Sequence, residues 1–219
     1  MPIYLEGQGH TLKVLADEGW LHLGMFFPGP VDLSKEAFLV GIDTVDPQRG
    51  DHKLPWDVGV GSVAGLEFVV LFQGEDRAGV FVDTPYVLPD HRFDPAHRYR
   101  SINNEDGQFI MGTARSNNAR LGRDGTSFPG HSTDIGWLQK GTQDRTDPAY
   151  DARAEWQAGR NPDGRGFIEA RIPWGLLNVT DPSARRVIDD PARKPPGPVG
   201  TGVTPGFRFV FAAFAADKP

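Results

Sequence analysis

The chain has 219 residues, a net charge of −6 and no cysteine. The acidic balance argues against a nucleic-acid partner, because phosphate binding needs a basic surface. The lack of cysteine excludes disulfides, thiolate zinc sites and a cysteine nucleophile, and no run reaches the ~18 apolar residues of a membrane span. The 27 glycines and 19 prolines favour many turns and few long helices.

The first half of the chain predicts short strands joined by turns. Residues 11–16 alternate between polar and apolar, and after a polar turn residues 20–27 predict the second strand of a hairpin. Residues 38–42 are almost continuously apolar, which is typical of a central strand in a sandwich. The clearest hairpin joins residues 66–72 to residues 78–82 through a polar turn.

The most informative stretch covers residues 165–177. Ile168, Ala170 and Ile172 alternate with charged residues, which predicts a strand with one buried face. Pro173 removes a hydrogen-bond donor and ends the strand. The following Trp-Gly-Leu-Leu predicts one helical turn, with Trp174 largely buried at the end of the sheet core.

These elements, closed by a last strand at residues 207–211, predict an all-β fold. We expect a single antiparallel β-sandwich domain over residues 1–219, with few short helical turns. The segments at about 83–134 and 178–205 exceed ordinary loop lengths, so we interpret them as insertions.

A resemblance to known families is found in the same stretches. FIEARIPWGLLN (residues 167–178) resembles the EVAIPWSEL strand and turn of family 9 carbohydrate-binding modules and of the related DOMON-like β-sandwiches. LADEGWLHLGMFF (15–27), FLVGIDTVD (38–46) and GFRFVFAAFAAD (206–217) resemble further strands of these families in the same order.

The resemblance implies a non-catalytic module that binds a glycan or supports neighbouring domains of the same polypeptide. It also implies structural calcium. We therefore expect the chain to be excised from a longer polypeptide that is extracellular or part of the cell envelope, because the predicted strands begin and end so close to its ends.

Aromatic residues near the predicted loops are suited to a sugar ligand. Flat rings stack on the apolar C–H faces of sugars, and neighbouring polar side chains bind the hydroxyls. We expect the site where the 83–134 insertion meets a face or edge of the sandwich. Alternatively, the insertion covers an exposed sheet edge. The candidate ligand-binding residues are Trp56, Tyr86, Arg98, Tyr99, Arg100, Asn103, Trp137 and Trp156.

A metal site is predicted in the acidic loop at residues 43–51. Asp43, Asp46 and Asp51 lie within nine residues of one another, with glycine and backbone carbonyls nearby. Such oxygen ligands suit calcium, although the spacing does not match an EF-hand. The alternative is a solvated turn in an acidic protein.

The chain has none of the common catalytic motifs. It has no G-x-S-x-G elbow, no H-E-x-x-H and no P-loop. We therefore expect a binding module rather than an enzyme. Two alternatives stay open: a structural or docking module without a small ligand, and a glycoside hydrolase whose acid pair is held by the insertions.

Overall fold

The computed structural model describes residues 3–7, 9–86, 100–117, 119–190 and 199–216. Strands make up 51% and helices 4% of the structure, which confirms the all-β prediction. The helical segments among these residues are two 3₁₀ turns, at Thr84–Tyr86 and Trp174–Leu177. Within the described residues, no helix has the length and apolarity to cross a membrane.

The strands follow one another closely along the chain. In chain order they are β1 (Ile3–Gly7), β2 (His10–Ala16), β3 (Trp20–Phe26), β4 (Glu36–Asp43), β5 (Gly50–Lys53), β6 (Gly61–Leu66), β7 (Phe68–Gln73), β8 (Arg77–Asp83), β9 (Asn103–Asn104), β10 (Phe109–Met111), β11 (Thr113–Asn117), β12 (Arg120–Leu121), β13 (Ser127–Phe128), β14 (His131–Asp134), β15 (Trp156–Arg160), β16 (Gly166–Pro173), β17 (Val179–Asp181), β18 (Arg186–Ile188), β19 (Thr201–Val203) and β20 (Arg208–Ala215).

Two five-stranded sheets form the sandwich. The first sheet has the order β1-β2-β3-β16-β15, and the second has the order β10-β8-β7-β4-β20. Every strand pair within these two sheets is antiparallel. The predicted hairpins appear as the pairs β2–β3 and β7–β8, and the predicted central strand appears as β4, which lies between β7 and β20.

The main hydrophobic core lies between the two sheets. Phe27 and Phe38 have ring centroids 4.6 Å apart, and Phe72 meets Trp156 edge-on at 5.9 Å. Each of these rings belongs to a single cluster of buried residues that draws on both sheets. Such contacts between inward-facing side chains hold a sandwich together.

The pairing of β16 with β3 fixes the middle of the first sheet. Ile168, Ala170 and Ile172 are buried on β16, as the alternation predicted. The 3₁₀ turn after Pro173 places Trp174 at the end of the core with 9% of its surface exposed. Its indole N–H donates a 2.8 Å hydrogen bond to the carbonyl oxygen of Asp17. The predictions of a buried strand, a helical turn and a largely buried Trp174 are therefore confirmed.

A second, smaller core covers the outer face of the second sheet. Leu39 and Val69 point outward from this sheet and pack against Leu54 and Leu66, from the β5–β6 region, in one buried cluster. Gly41 is needed beneath this layer, because a Cβ there would lie 2.5 Å from the side chain of Leu66. The outer face of the second sheet is thus largely closed to solvent.

Short sheets fill the segments that we interpreted as insertions. Strand β9 pairs in parallel with β5, and β11 pairs with β14. Strands β17, β18 and β19 form a three-stranded sheet within residues 178–205. Residues 87–99 and 191–198 lie outside the described part of the chain.

We predict that Trp174→Ala lowers the free energy of unfolding by about 3–5 kcal/mol, because a large buried side chain is removed. Trp174→Phe keeps most of the apolar contact but loses the hydrogen bond to Asp17. Its free energy of unfolding should therefore fall by about 1 kcal/mol more than the lost buried apolar area accounts for. Urea denaturation measures both. Trp137→Ala is the control, since that ring is 45% exposed; an equal loss in both alanine variants would contradict the assignment.

Candidate functional site

The outer face of the first sheet carries an ordered set of side chains. Side chains alternate along a strand, so the residues between the core positions point outward. The strand register aligns Lys13, Gly24, Glu169 and Gln157 in one row across β2, β3, β16 and β15. On one side of this row Phe26 faces Phe167, and the row on the other side pairs His22 with Arg171.

A groove of about 500 Å³ lies over this row. Gly24, which has no side chain, lies between Lys13 and Glu169 and lines the groove. A Cβ at Gly24 would come within 3.0 Å of the Phe26 ring, so this ring lies directly beside the backbone of Gly24. Gly141, Gln143 and Glu155 line the groove from the segment before β15.

Hydrogen bonds and ring contacts fix the side chains around the groove. Gln157 Nε2 donates to Glu169 Oε2 at 2.8 Å. The Lys13 ammonium lies 4.8 Å from the Phe26 ring centroid. The Arg171 guanidinium lies 4.4 Å from the Trp20 ring and also donates to the Ala152 carbonyl at 2.5 Å. The groove therefore combines fixed polar groups with a partly exposed aromatic ring.

His22, on the same face, is held by Asp17. The His22 Nε2 and Asp17 Oδ2 atoms are 2.7 Å apart. This hydrogen bond, with that from the Gly19 backbone, lowers the pKa of Asp17. The carboxylate of Asp17 therefore stays charged and orients the imidazole at one end of the groove.

A separate acidic cluster lies at the end of β8. Carboxylate oxygens of Asp51, Asp83 and Asp106 all lie within 4.8 Å of one another. Asp51 accepts hydrogen bonds from the backbone N–H groups of Lys53 at 2.7 Å and Gly107 at 2.6 Å. Asp51 and Asp83 are buried and Asp106 is exposed.

Asp83 is the least satisfied member of this cluster. Its Oδ1 accepts a long 3.4 Å hydrogen bond from Asn104, and its buried Oδ2 has no partner among the described residues. Burial, followed by the charge of Asp51, raises the pKa of Asp83 to about 7. Burial also raises the pKa of Asp51.

Glu67 lies in a neighbouring buried network. Its carboxyl accepts hydrogen bonds from the Thr44 backbone N–H at 2.6 Å and from the Ser101 hydroxyl at 2.6 Å. The backbone carbonyl of Glu67 accepts a bond from the Asp83 N–H at 2.8 Å, which joins the network to the acidic cluster. Burial raises the pKa of Glu67 to about 8 despite these bonds, so the side chain holds a proton at neutral pH.

The predicted metal residues are separated in the structure. Asp51 belongs to the acidic cluster, whereas Asp43 accepts a 2.9 Å bond from Arg208. Asp46 accepts the Gln48 N–H at 2.9 Å in a loop turn. Neither Asp43 nor Asp46 joins Asp51 in a common set of ligands. A calcium ion in this region stays a prediction, and the spatial partners of Asp51 are Asp83 and Asp106.

Two of the predicted ligand-binding residues are buried aromatics. Tyr86 is fully buried, and its hydroxyl donates to the carbonyl of Ile188. Trp156 is 1% exposed and packs against Phe72 in the main core. These rings offer no stacking face to a ligand from solvent.

The other predicted residues lie on a different part of the surface. Trp56 and Trp137 both contact Phe81 edge-on, at 5.2 and 6.3 Å, on the outer face of the second sheet. Asn103 and Arg100 are exposed near the edge of β9. Arg98 and Tyr99 lie outside the described residues. Of the predicted residues that the structure describes, Trp156 alone contributes to the lining of the groove.

The polar row in the groove was not identified from sequence. Its signal was present, since the positions that alternate with the core residues of β3 and β16 hold His22, Gly24, Phe26, Glu169 and Arg171. Their convergence depends on which strands pair and in which register, and no local pattern specifies this for strands that are about 140 residues apart.

Comparisons with protein-family models, with curated proteins and with solved structures found no match to this chain.

We predict that the stability contributed by Glu67 falls as pH rises. The folded state keeps the proton up to about pH 8, whereas the unfolded chain releases it near the ordinary value of 4.5. The contribution is therefore complete below about pH 4.5 and is lost as pH approaches 8, with a slope of at most about 1.4 kcal/mol per pH unit for one proton.

Urea denaturation of the protein and of Glu67→Gln at pH 5, 6, 7 and 8 checks this. Glutamine does not titrate, so Glu67→Gln should not show the fall in the free energy of unfolding between pH 5 and pH 8. The variant should therefore become more stable relative to the native protein as pH rises. Glu36→Gln, at an exposed position, is the matched control. Parallel pH curves for the native protein and Glu67→Gln would rule out a proton held by Glu67.

Proposed function

We propose that this protein is a non-catalytic module that binds a glycan in the groove on the outer face of its first sheet. The observation that carries the proposal is the row Lys13–Gly24–Glu169–Gln157, which lies beside the Phe26 ring. A sugar presents an apolar C–H face and a ring of hydroxyls. The groove offers a flat apolar ring and fixed hydrogen-bonding groups in adjacent rows.

The size and support of the groove agree with such a ligand. A volume of about 500 Å³ lies within the ~300–1,000 Å³ range of small-molecule sites. Four strands spaced about 4.8 Å apart make the row long enough for a short oligosaccharide. The side chains of the row Lys13–Gly24–Glu169–Gln157 stand on paired strands rather than on loops, so little of their conformational entropy is lost when a ligand binds.

Charge in the groove favours a polar and weakly charged ligand. Lys13, His22 and Arg171 lie beside Glu169 and Glu155, so neither sign dominates. A strongly anionic ligand would meet the two carboxylates, and a cationic ligand would meet the Lys13 ammonium and the Arg171 guanidinium. Neutral hydroxyls accept from the basic side chains and donate to the carboxylates, so a polyhydroxylated ligand satisfies both kinds of group.

Isothermal titration calorimetry with a panel of neutral oligosaccharides tests the proposal. We expect at least one to bind. Gly24→Val should weaken its binding more than about tenfold, because a branched side chain takes up space in the groove and displaces the neighbouring Phe26 ring while remaining compatible with a strand. Gln157→Ala should weaken binding by a smaller factor through the loss of one polar contact, and Gln48→Ala, an exposed position outside the groove, should bind as the native protein does.

Three outcomes would contradict the proposal. The first is that no glycan in the panel binds. The second is native affinity in Gly24→Val together with loss of binding in Trp137→Ala, which would favour the residues predicted from sequence. The third is cleavage of the bound oligosaccharide, read by chromatography after the titration, because Glu155 and Glu169 would then act as an acid pair.

A further inference from the structure

The acidic cluster of Asp51, Asp83 and Asp106 contains a group whose bonding is incomplete. Asp83 is fully buried, and its Oδ2 atom has no hydrogen-bond partner among the described residues. A buried polar atom without a partner costs about 1–3 kcal/mol, and more when the group is charged. The cluster therefore has an unused acceptor in a place where water reaches it poorly.

No described basic residue neutralises the three carboxylates. Arg49 and Lys53, each two residues from Asp51, pair with Asp189 at 3.0 Å and with Asp57 at 3.1 Å. His52, next to Asp51, contacts the Ser62 carbonyl oxygen through Nδ1 at 3.1 Å. None of the ion pairs found between described residues includes a member of the cluster. The negative charge of the cluster is therefore balanced by a bound proton or by a cation from outside this part of the chain.

We propose that Asp51, Asp83 and Asp106 form a calcium site. Two oxygens bound to one calcium ion lie at most about 5 Å apart, which is twice the 2.3–2.6 Å bond length. The three carboxylate oxygens meet this limit, because all lie within 4.8 Å of one another. The Oδ2 atom of Asp83 would gain its missing partner.

The donor set selects the kind of ion. All three groups are carboxylates and no histidine belongs to the cluster, which favours a hard cation over zinc or copper. Asn104 donates from its amide nitrogen to Asp83 Oδ1 at 3.4 Å, while its side-chain carbonyl accepts the Glu105 N–H at 2.9 Å, so we count only the three carboxylates as ligands. Exposed Asp106 gives an ion access from solvent, and calcium tolerates the irregular geometry and the extra water ligands better than magnesium does.

The proposed ion would join three separate parts of the chain. Asp51 lies on β5, Asp83 ends β8, and Asp106 follows β9. The site therefore ties residues 103–107 to the second sheet at a position distant in sequence from β5 and β8. This inference is independent of the glycan proposal, because the groove lies on the first sheet and shares no residue with the cluster.

Thermal unfolding of the protein, first stripped with EDTA and then titrated with CaCl₂, tests the site. At calcium tenfold above the Kd, Tm should rise by about 3–6 °C. Calorimetry with CaCl₂ alone and with MgCl₂ alone measures the two affinities, and calcium should bind at least tenfold more tightly. No shift and no heat with calcium, or tighter binding of magnesium, would overturn the proposal.

Substitutions locate the ion. Asp83→Asn should raise Tm in EDTA, because a buried unpaired carboxyl is removed, and should abolish the calcium-dependent rise. Asp106→Asn keeps the fold, since the residue is exposed, and should weaken calcium binding at least tenfold. Asp46→Asn, at a nearby residue of the acidic loop outside the cluster, should respond as the native protein does. A full calcium response in both Asp83→Asn and Asp106→Asn, or its loss in Asp46→Asn, would overturn the assignment.

Discussion

The antiparallel pairing of β3 with β16 is the contact on which most of the structure depends. It places Leu21, Leu23 and Met25 opposite Ile172, Ala170 and Ile168 on the core side. The same register places Gly24 opposite Glu169 on the outer side. Because side chains alternate with a period of two, a slip of one residue would exchange the two faces. The core and the groove are therefore set by a single choice of register.

A second constraint is the burial of carboxylates where the second sheet meets the small sheet of β5, β6 and β9. Asp43, Asp51, Glu67 and Asp83 are all fully buried. Burying an unpaired charge is costly, so each needs a partner, a proton or an ion. Asp43 has Arg208, Glu67 keeps its proton and Asp51 accepts two backbone N–H groups. Of these four carboxylates, Asp83 has the weakest set of partners among the described residues, because its Oδ1 accepts one 3.4 Å hydrogen bond and its Oδ2 accepts none.

The sequence was most informative where the signal was local. Alternation identified β16, the turn signals identified the β2–β3 and β7–β8 hairpins, and Pro173 marked the end of β16 before the buried Trp174. It was least informative where distant segments meet. The acidic loop drew attention to Asp51, but its partners Asp83 and Asp106 come from other strands. Aromatic residues near the predicted loops were predicted to bind a ligand, whereas Trp156 starts a strand and its indole is buried in the main core.

The two outer faces of the sandwich differ in a way that bears on where a ligand binds. Leu54, Leu66 and Trp56 cover the second sheet and form a further core on it, so its outer face contributes to stability. No corresponding apolar layer covers the polar row of the first sheet among the described residues. The hydrogen-bonded pair Gln157–Glu169 and the side chain of Lys13 are accessible on this face. The second sheet is covered on its outer face, and the outer face of the first sheet is open. This difference favours the groove on the first sheet as the place where a ligand binds.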